Sequence, residues 1–145
     1  MIDRSNRVYS IKPSKDALEN AKCCPIDNTF KLIGKRLTVH ILRNMMMQDQ
    51  TRFNEFLYSI EDANPKTLST RLREMEADGL IERKVYPDEI PIRIEYHLTE
   101  KGNRLRSILE QMAAFSMRYC SEDVFKDKKP RTLRQAFGIA PSIIK

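Results

Sequence analysis

The sequence predicts a mainly α-helical protein that carries one small β-hairpin. Three observations lead there. Apolar residues recur at spacings of three and four through 25–78 and again through 99–119, the mark of helices with one buried face. Strict alternation of apolar and polar residues occurs in one stretch, Ile92 to Leu98. The chain of 145 residues holds only 4 glycines, too few for a β-dense fold with many tight turns.

The elements follow in order. Residues 1–22 are polar and mixed in charge and read as a loose N-terminal arm, with a short helical turn after Ser14. A helical pattern opens at Pro25, where Ile26, Phe30, Ile33, Leu37, Ile41 and Met45 form one stripe. Gly34 interrupts it and either divides two helices or bends one. The stripe ends near the polar turn Gln48–Gln50, and Met45, Met46 and Met47 are expected to be core and helix end. Arg52 to Ile60 reads as a shorter helix with Phe53, Phe56, Leu57 and Ile60 inward. After the turn at Glu61-Asp62-Ala63, Asn64 and Pro65 suit an N-cap and a first helical position. Leu68, Leu72 and Met75 share one face of that helix, and Gly79 ends it as a C′ residue.

Leu80 to Tyr86 is a strand candidate, and the two prolines of Pro87-Asp88-Glu89-Ile90-Pro91 cannot continue a ladder. In the next strand Ile92, Ile94, Tyr96 and Leu98 alternate with Arg93, Glu95 and His97, so it should be half-buried. Thr99 caps one last long helix bearing Leu105, Ile108, Met112, Phe115 and Tyr119. The chain thus divides into an arm (1–22), a domain (23–120) and a C-terminal extension (121–145). The extension's Phe125, Leu133, Phe137, Ile139, Ile143 and Ile144 suggest a segment that docks, with a partner subunit as one candidate surface.

Composition narrows the class. Apolar residues make up 41% and charged residues 32%, the balance of a soluble globular domain. No apolar run approaches the ~20 residues that span a bilayer, and the N-terminus lacks the apolar core of a signal peptide, so no membrane partner is expected. Three cysteines, two of them adjacent at Cys23 and Cys24, make no disulfide framework and suit a reducing cytoplasm. The formal net charge of +6 favours an anionic partner, yet residues 61–98 carry 6 basic against 9 acidic residues. Any nucleic-acid reading must therefore rest on local pattern.

That pattern exists. Two helices joined by a tight turn and followed directly by a hairpin form the winged helix-turn-helix plan. The second helix, 65–78, would lie in the major groove, with the wing 81–98 on the flanking backbone. With Leu68 at 0° on a helical wheel, Ser69 falls near about 100°, Arg73 near 140°, Lys66 near 160° and Thr70 near 200°. One face is apolar and the opposite one short, polar and cationic. Lys66, Arg71 and Arg73 precede Glu74, Glu76 and Asp78, which keeps the acids away from phosphate. The candidate DNA contacts are Lys66, Thr67, Ser69, Thr70 and Arg73, with Arg52 and Arg93 at the flanks. For Arg93 a pair with Glu95 or Glu82 weighs equally. A solvated helix face is the plain alternative for the helix alone, and the neighbouring turn and hairpin count against it.

Several separated blocks carry a resemblance. They are Cys24-Pro25-Ile26, Leu32-Ile33-Gly34, Arg52-Phe53-Asn54-Glu55-Phe56, Pro65 through Leu72, Asp78 through Arg83, and Glu95 through Gly102. Over residues 23–119 the chain resembles the HxlR-type winged-helix regulators, relatives of the MarR group. The resemblance implies a homodimer on a two-fold-related operator in double-stranded DNA, with N- and C-terminal helices forming the dimer interface. The resemblance also implies regulation of genes of aldehyde, quinone or oxidant response among others, and in several members the cysteine of the Cys-Pro pair, here Cys24, is the sensor. The chain departs from the family's usual Gly-Gly-Lys-Trp, reading Gly34-Lys35-Arg36-Leu37.

Cys24 also has a physical case of its own, because free N–H groups and the helix dipole at a helix start stabilise a thiolate. Lys22, Lys31 and Lys35 add positive charge nearby; a buried, inert thiol is the alternative. Rival chemistries are weak. No Cys-x-x-Cys pair supports a zinc site, and no cofactor motif, phosphate loop or nucleophile elbow supports an enzyme. His97 reads as a surface or half-buried residue. A winged-helix adaptor that binds proteins and not DNA is the alternative of a different class.

Overall fold

A computed structural model describes residues 14–138. Ile139, Ile143 and Ile144 of the expected docking tail lie outside the described residues. The chain separates into two compact units, one running through Ile33 and one from Gly34 onward. In the first, α1 (Lys15–Asn20) begins after Ser14, whose hydroxyl accepts from the Ala17 N–H at 3.1 Å. The second helix, α2 (Pro25–Ile33), buries Ile33 and leaves Ile26 and Phe30 80% and 65% exposed. Gly34 divides two helices and does not bend one.

The second unit runs α3 (Arg36–Gln48), α4 (Phe53–Ser59), α5 (Pro65–Ala77), β1 (Ile81–Tyr86), β2 (Arg93–Leu98), α6 (Glu100–Arg104), α7 (Arg106–Tyr119), α8 (Ser121–Val124) and α9 (Leu133–Phe137). It is mainly helical with one two-stranded antiparallel hairpin. Ile41 and Leu42 of α3, Phe56 of α4, Leu68, Leu72 and Met75 of α5, and Leu80 and Ile81 at the hairpin form the fully buried centre. Each such side chain contributes about 1.5–3 kcal/mol by leaving water. Met45 and Met46 are buried with them, whereas Met47 is exposed. No helix among the described residues is long and apolar enough to cross a membrane.

Two expectations need correction. The last long helix is two helices, because the chain turns at Leu105, whose N–H bonds to the Gly102 carbonyl at 3.1 Å. Leu105 consequently belongs to the core, while Met112, Phe115 and Tyr119 stay exposed. Ile92 is not part of the alternating strand. The register pairs Tyr86 with Arg93, so Ile92 would next face Pro87, which has no N–H for the ladder. Ile92 therefore sits outside β2 and is exposed. The described part of the extension packs on its own chain: the Arg131 N–H bonds to the Met117 carbonyl at 3.2 Å, and Leu133 is buried. Thr132 caps α9 by accepting from the Gln135 N–H at 3.2 Å.

Candidate nucleic-acid interface

The presentation of α5 begins at Asn64, whose side chain accepts from the Thr67 N–H at 3.0 Å, with Pro65 following as the first helical residue. Gly79 then takes φ +73°, a left-handed conformation that suits glycine at a helix end. Leu68, Leu72 and Met75 point into the core, so the opposite face of α5 is turned to solvent.

That face carries Lys66, Thr67, Thr70 and Arg73 exposed, with Ser69 half-buried beside them. Lys66 makes no ion pair with the described residues. The Arg73 guanidinium lies back along the helix and donates to the Ser69 hydroxyl at 3.3 Å. The Thr67 and Thr70 hydroxyls donate to the Asn64 and Lys66 carbonyls at 3.2 and 3.0 Å. Their methyl groups are the parts left for a base edge. Arg71 is different: it is half-buried and paired with Glu74, which also receives Lys35 at 3.1 Å. The Lys35 hydrogen bond, above all, holds the Glu74 carboxyl below its ordinary range.

Two sets of polar contacts fix α4, the helix before α5, against α3 and the turn that joins them. The buried Asn44 of α3 donates to the Gln50 carbonyl oxygen at 3.0 Å and to the Ser59 hydroxyl at 2.8 Å. Glu55 accepts from the Thr51 and Arg52 N–H groups at 2.8 Å each, which fixes the start of α4. Arg52 itself is exposed and forms no ion pair with the described residues. From the hairpin, the Tyr96 N–H reaches the Thr51 carbonyl at 2.7 Å. At the other end of β2 the Thr99 N–H bonds to the Leu80 carbonyl at 3.1 Å. Gly102 packs so closely there that an added Cβ would lie 2.0 Å from the Leu80 oxygen.

The wing is occupied by its own chemistry. Arg93 pairs with Glu89 at 2.9 Å and with Glu95 at 3.5 Å, and its guanidinium lies 4.1 Å over the Tyr86 ring. Glu95 also meets His97 at 2.9 Å and accepts from the Tyr86 hydroxyl at 3.4 Å. The His97 hydrogen bond and the Arg93 charge hold the Glu95 carboxyl low against its partial burial. This cluster shields the polar side of β2, which explains why all six of its residues are half-buried where alternation was expected. It also favours the ion-pair reading of Arg93, with Glu89 as the partner not foreseen and Glu82 bound instead to Lys84.

Two exposed side chains went unnoticed in the sequence. Arg83 stands on β1 without an ion pair to the described residues, and Tyr58 on α4 is 83% exposed. Tyr58 was legible, since it falls outside the inward set Phe53, Phe56, Leu57 and Ile60; Arg83 was not, because alternation puts it on the face of the buried Ile81.

Cys24 lies at the start of α2, where its carbonyl accepts from the Asn28 N–H at 3.0 Å. Cys23 and Cys24 are both exposed, which removes the buried reading. The expected positive surroundings are thinner than the sequence implied, because Lys31 pairs with Asp27 at 3.1 Å and Lys35 with Glu74.

The HxlR-like helix-turn-helix model matches residues 32–124, from the end of α2 through α8. The chain belongs to this family. HxlR-like proteins are DNA-binding transcriptional regulators, not enzymes. The chain is similar to the HTH-type transcriptional regulator YodB of Bacillus subtilis (strain 168), with 36% identity over 104 residues, 70% of this chain and 88% of the relative. It is 38% identical over 98 residues to the uncharacterised HTH-type regulator YybR of the same organism, 68% of this chain and 77% of the relative. Among solved structures, the redox regulator HypR in its reduced form aligns with TM-score 0.61 and 32% identity, covering 72% of this chain and 99% of that one. Diamide-treated YodB aligns with TM-score 0.55 and 36% identity, covering 66% and 94%. The matched span holds α4, α5 and the β1–β2 hairpin.

Proposed function

We propose that this HxlR-like regulator is a homodimer that reads a two-fold-related operator in duplex DNA through α5. The observation that carries the reading is the two-sided α5: Leu68, Leu72 and Met75 are buried, and Lys66, Thr70 and Arg73 stand exposed on the other face. Arg73 would pair with guanine in the major groove, and Thr67, Ser69 and Thr70 permit close approach. Lys66 and Arg52 serve as phosphate contacts. On the wing Arg83 takes the backbone role, while Arg93 braces the hairpin from within.

Exposed apolar side chains support the dimer. Ile26 and Phe30 on α2, and Phe115 and Tyr119 on α7, are each more than 60% exposed. Phe115 and Tyr119 also stack on one another at 5.4 Å. Self-association through these N- and C-terminal helices would place two recognition helices about 34 Å apart, one turn of B-DNA. Cys24 is the proposed thiol sensor, since it is exposed and lies on a helix assigned to the dimer. The likeness to HypR, a redox regulator, supports that reading.

The test is selection of bound sequences from random duplex DNA, followed by affinity measurement across salt. A two-fold consensus, with affinity falling about 0.9 log units per log unit of salt for each phosphate neutralised, supports the reading. Absence of duplex binding overturns it in favour of a protein-binding adaptor.

A further inference from the structure

The DNA reading makes no use of a concavity in the second unit. A groove of about 600 Å³ runs between α3, α7 and α9. Its apolar surface comes from Met47, Leu109, Met112 and Phe137, and its rim carries His40, Arg43 and Arg106. The volume falls within the range of small-molecule sites, which combine apolar walls with a few polar groups that fix orientation. The wall built by Leu133 and Phe137 lies beyond residue 124, where the HxlR-like match ends. The concavity is therefore shaped in part by this chain's own extension, outside the matched domain.

Charge selects among ligands. Arg43 donates its Nε–H to Asn44 at 3.0 Å, and Arg106 donates one N–H to the Met46 carbonyl at 3.2 Å. A guanidinium has five N–H donors, so both keep donors to offer a ligand. Glu110 is the single acid in the lining. Burial, and then the positive charges of Arg43 and Arg36, hold the His40 imidazole below its ordinary value against Glu61. The lining thus carries two guanidinium groups against one carboxylate.

We infer that this groove binds an amphipathic organic monoanion, an aromatic or medium-chain carboxylate. Its apolar body lies against Met47, Leu109, Met112 and Phe137, and its carboxylate is held by Arg43 and Arg106. Phe115 and Tyr119, which support the dimer, lie outside the groove, roughly a third of a turn around α7 at about 100° per residue. For its consequence, and not for binding itself, the inference rests on the regulator reading. The groove lines α3, and α3 ends in the Asn44 contacts that hold α4, so ligand occupancy would alter operator affinity.

The experiment titrates the full chain with 2-naphthoate and with decanoate by calorimetry, and with neutral 2-naphthamide as control. One carboxylate should bind per chain, and the amide should bind about tenfold more weakly, as should naphthoate to Arg43→Gln. Phe137→Ser should also weaken binding, and Ala113→Phe, which fills the groove, should abolish it. Arg43 and Phe137 are exposed, so those variants decide the matter even if Ala113→Phe fails to fold. No binding by either carboxylate, or equal binding by acid and amide, overturns the proposal. So does an Ala113→Phe protein that becomes monomeric, because a second copy would then be the occupant. Ligand binding by a chain that ignores duplex DNA keeps the site and sinks the regulator reading; operator binding without carboxylate binding sinks the site alone.

Discussion

The side-chain amide of Asn44 donates to the hydroxyl of Ser59 at 2.8 Å, joining the end of α3 to the end of α4. Asn44 is fully buried, and the Ser59 hydroxyl in turn donates to Gln50 at 3.0 Å. Replacing Asn44 by Ala removes these bonds and leaves a small void, a cost of about 2–3 kcal/mol. Urea unfolding should show the midpoint falling with an unchanged slope. An unshifted midpoint would mean that the network is not structural.

Gly102 and Gly138 make a matched pair. A methyl group at Gly102 meets the Leu80 backbone, at 2.0 Å from the oxygen and 2.9 Å from the carbon, so Gly102→Ala is expected to cost more than about 3 kcal/mol or to prevent folding. At Gly138 there is open space and φ +67°, so Gly138→Ala should cost only about 1 kcal/mol in backbone strain. Thermal melts of the two variants give the comparison, and equal losses would refute it.

On a selected operator, Arg73→Ala should cost about 1–3 kcal/mol and relax preference at one position per half-site. Lys66→Ala should weaken binding more evenly and lower the salt slope by about one unit. Arg93→Ala should instead leave the salt slope unchanged and lower thermal stability, because it removes the pairs to Glu89 and Glu95. If Arg73→Ala keeps both affinity and preference, α5 is not the reading helix.

Oxidation by diamide should reduce operator affinity in wild type and Cys23→Ser, and leave Cys24→Ser unaffected. Band-shift titration before and after treatment measures this. A Cys24→Ser protein that responds like wild type excludes Cys24 as the switch.

The extension has its own pH signature. Arg131 holds Asp127 through two hydrogen bonds, at 2.5 and 2.9 Å, and this pair lowers the carboxyl from 3.8 to about 2. A depressed carboxylate stabilises the folded state above its unfolded value, and the contribution fades as pH falls from about 4 to about 2. Asp127→Asn should therefore speed amide exchange at Lys129 and Arg131 near pH 5, and the difference from wild type should shrink as pH falls through about 2. Equal exchange at both pH values would show that the pair orders nothing.

The sequence was most legible where local chemistry decides structure. Asn64-Pro65 and Gly79 bound α5, and Leu68, Leu72 and Met75 name its buried face without reference to any other element. It was least legible where a distant partner decides. The stripe through Leu105, Ile108 and Met112 continues across the α6–α7 break, with no Gly or Pro to mark it. Asn44 looks like any polar helix residue until Ser59 and Gln50 arrive beside it. Arg93 carries no sign that Glu89, four residues earlier, will come around the loop to claim it. The turn of Leu133 onto its own α7 depends on the cap at Thr132 and on Arg131 bonding to Met117, a pairing that sequence spacing does not reveal.

The 2.7 Å bond from the Tyr96 N–H to the Thr51 carbonyl has a consequence for how such a molecule is tuned. It ties β2 to the turn that enters α4, so that on the proposed reading the hairpin and the helix pair α4–α5 would meet DNA as one stamp. On the proposed dimer, a signal that reached this stamp would not loosen the wing while the helix kept its grip. Each half-site would then be engaged wholly or not at all, and graded control would come from the spacing between two stamps. Base sequence and spacer length would become separate dials, one set by α5 and the other by the way two chains meet.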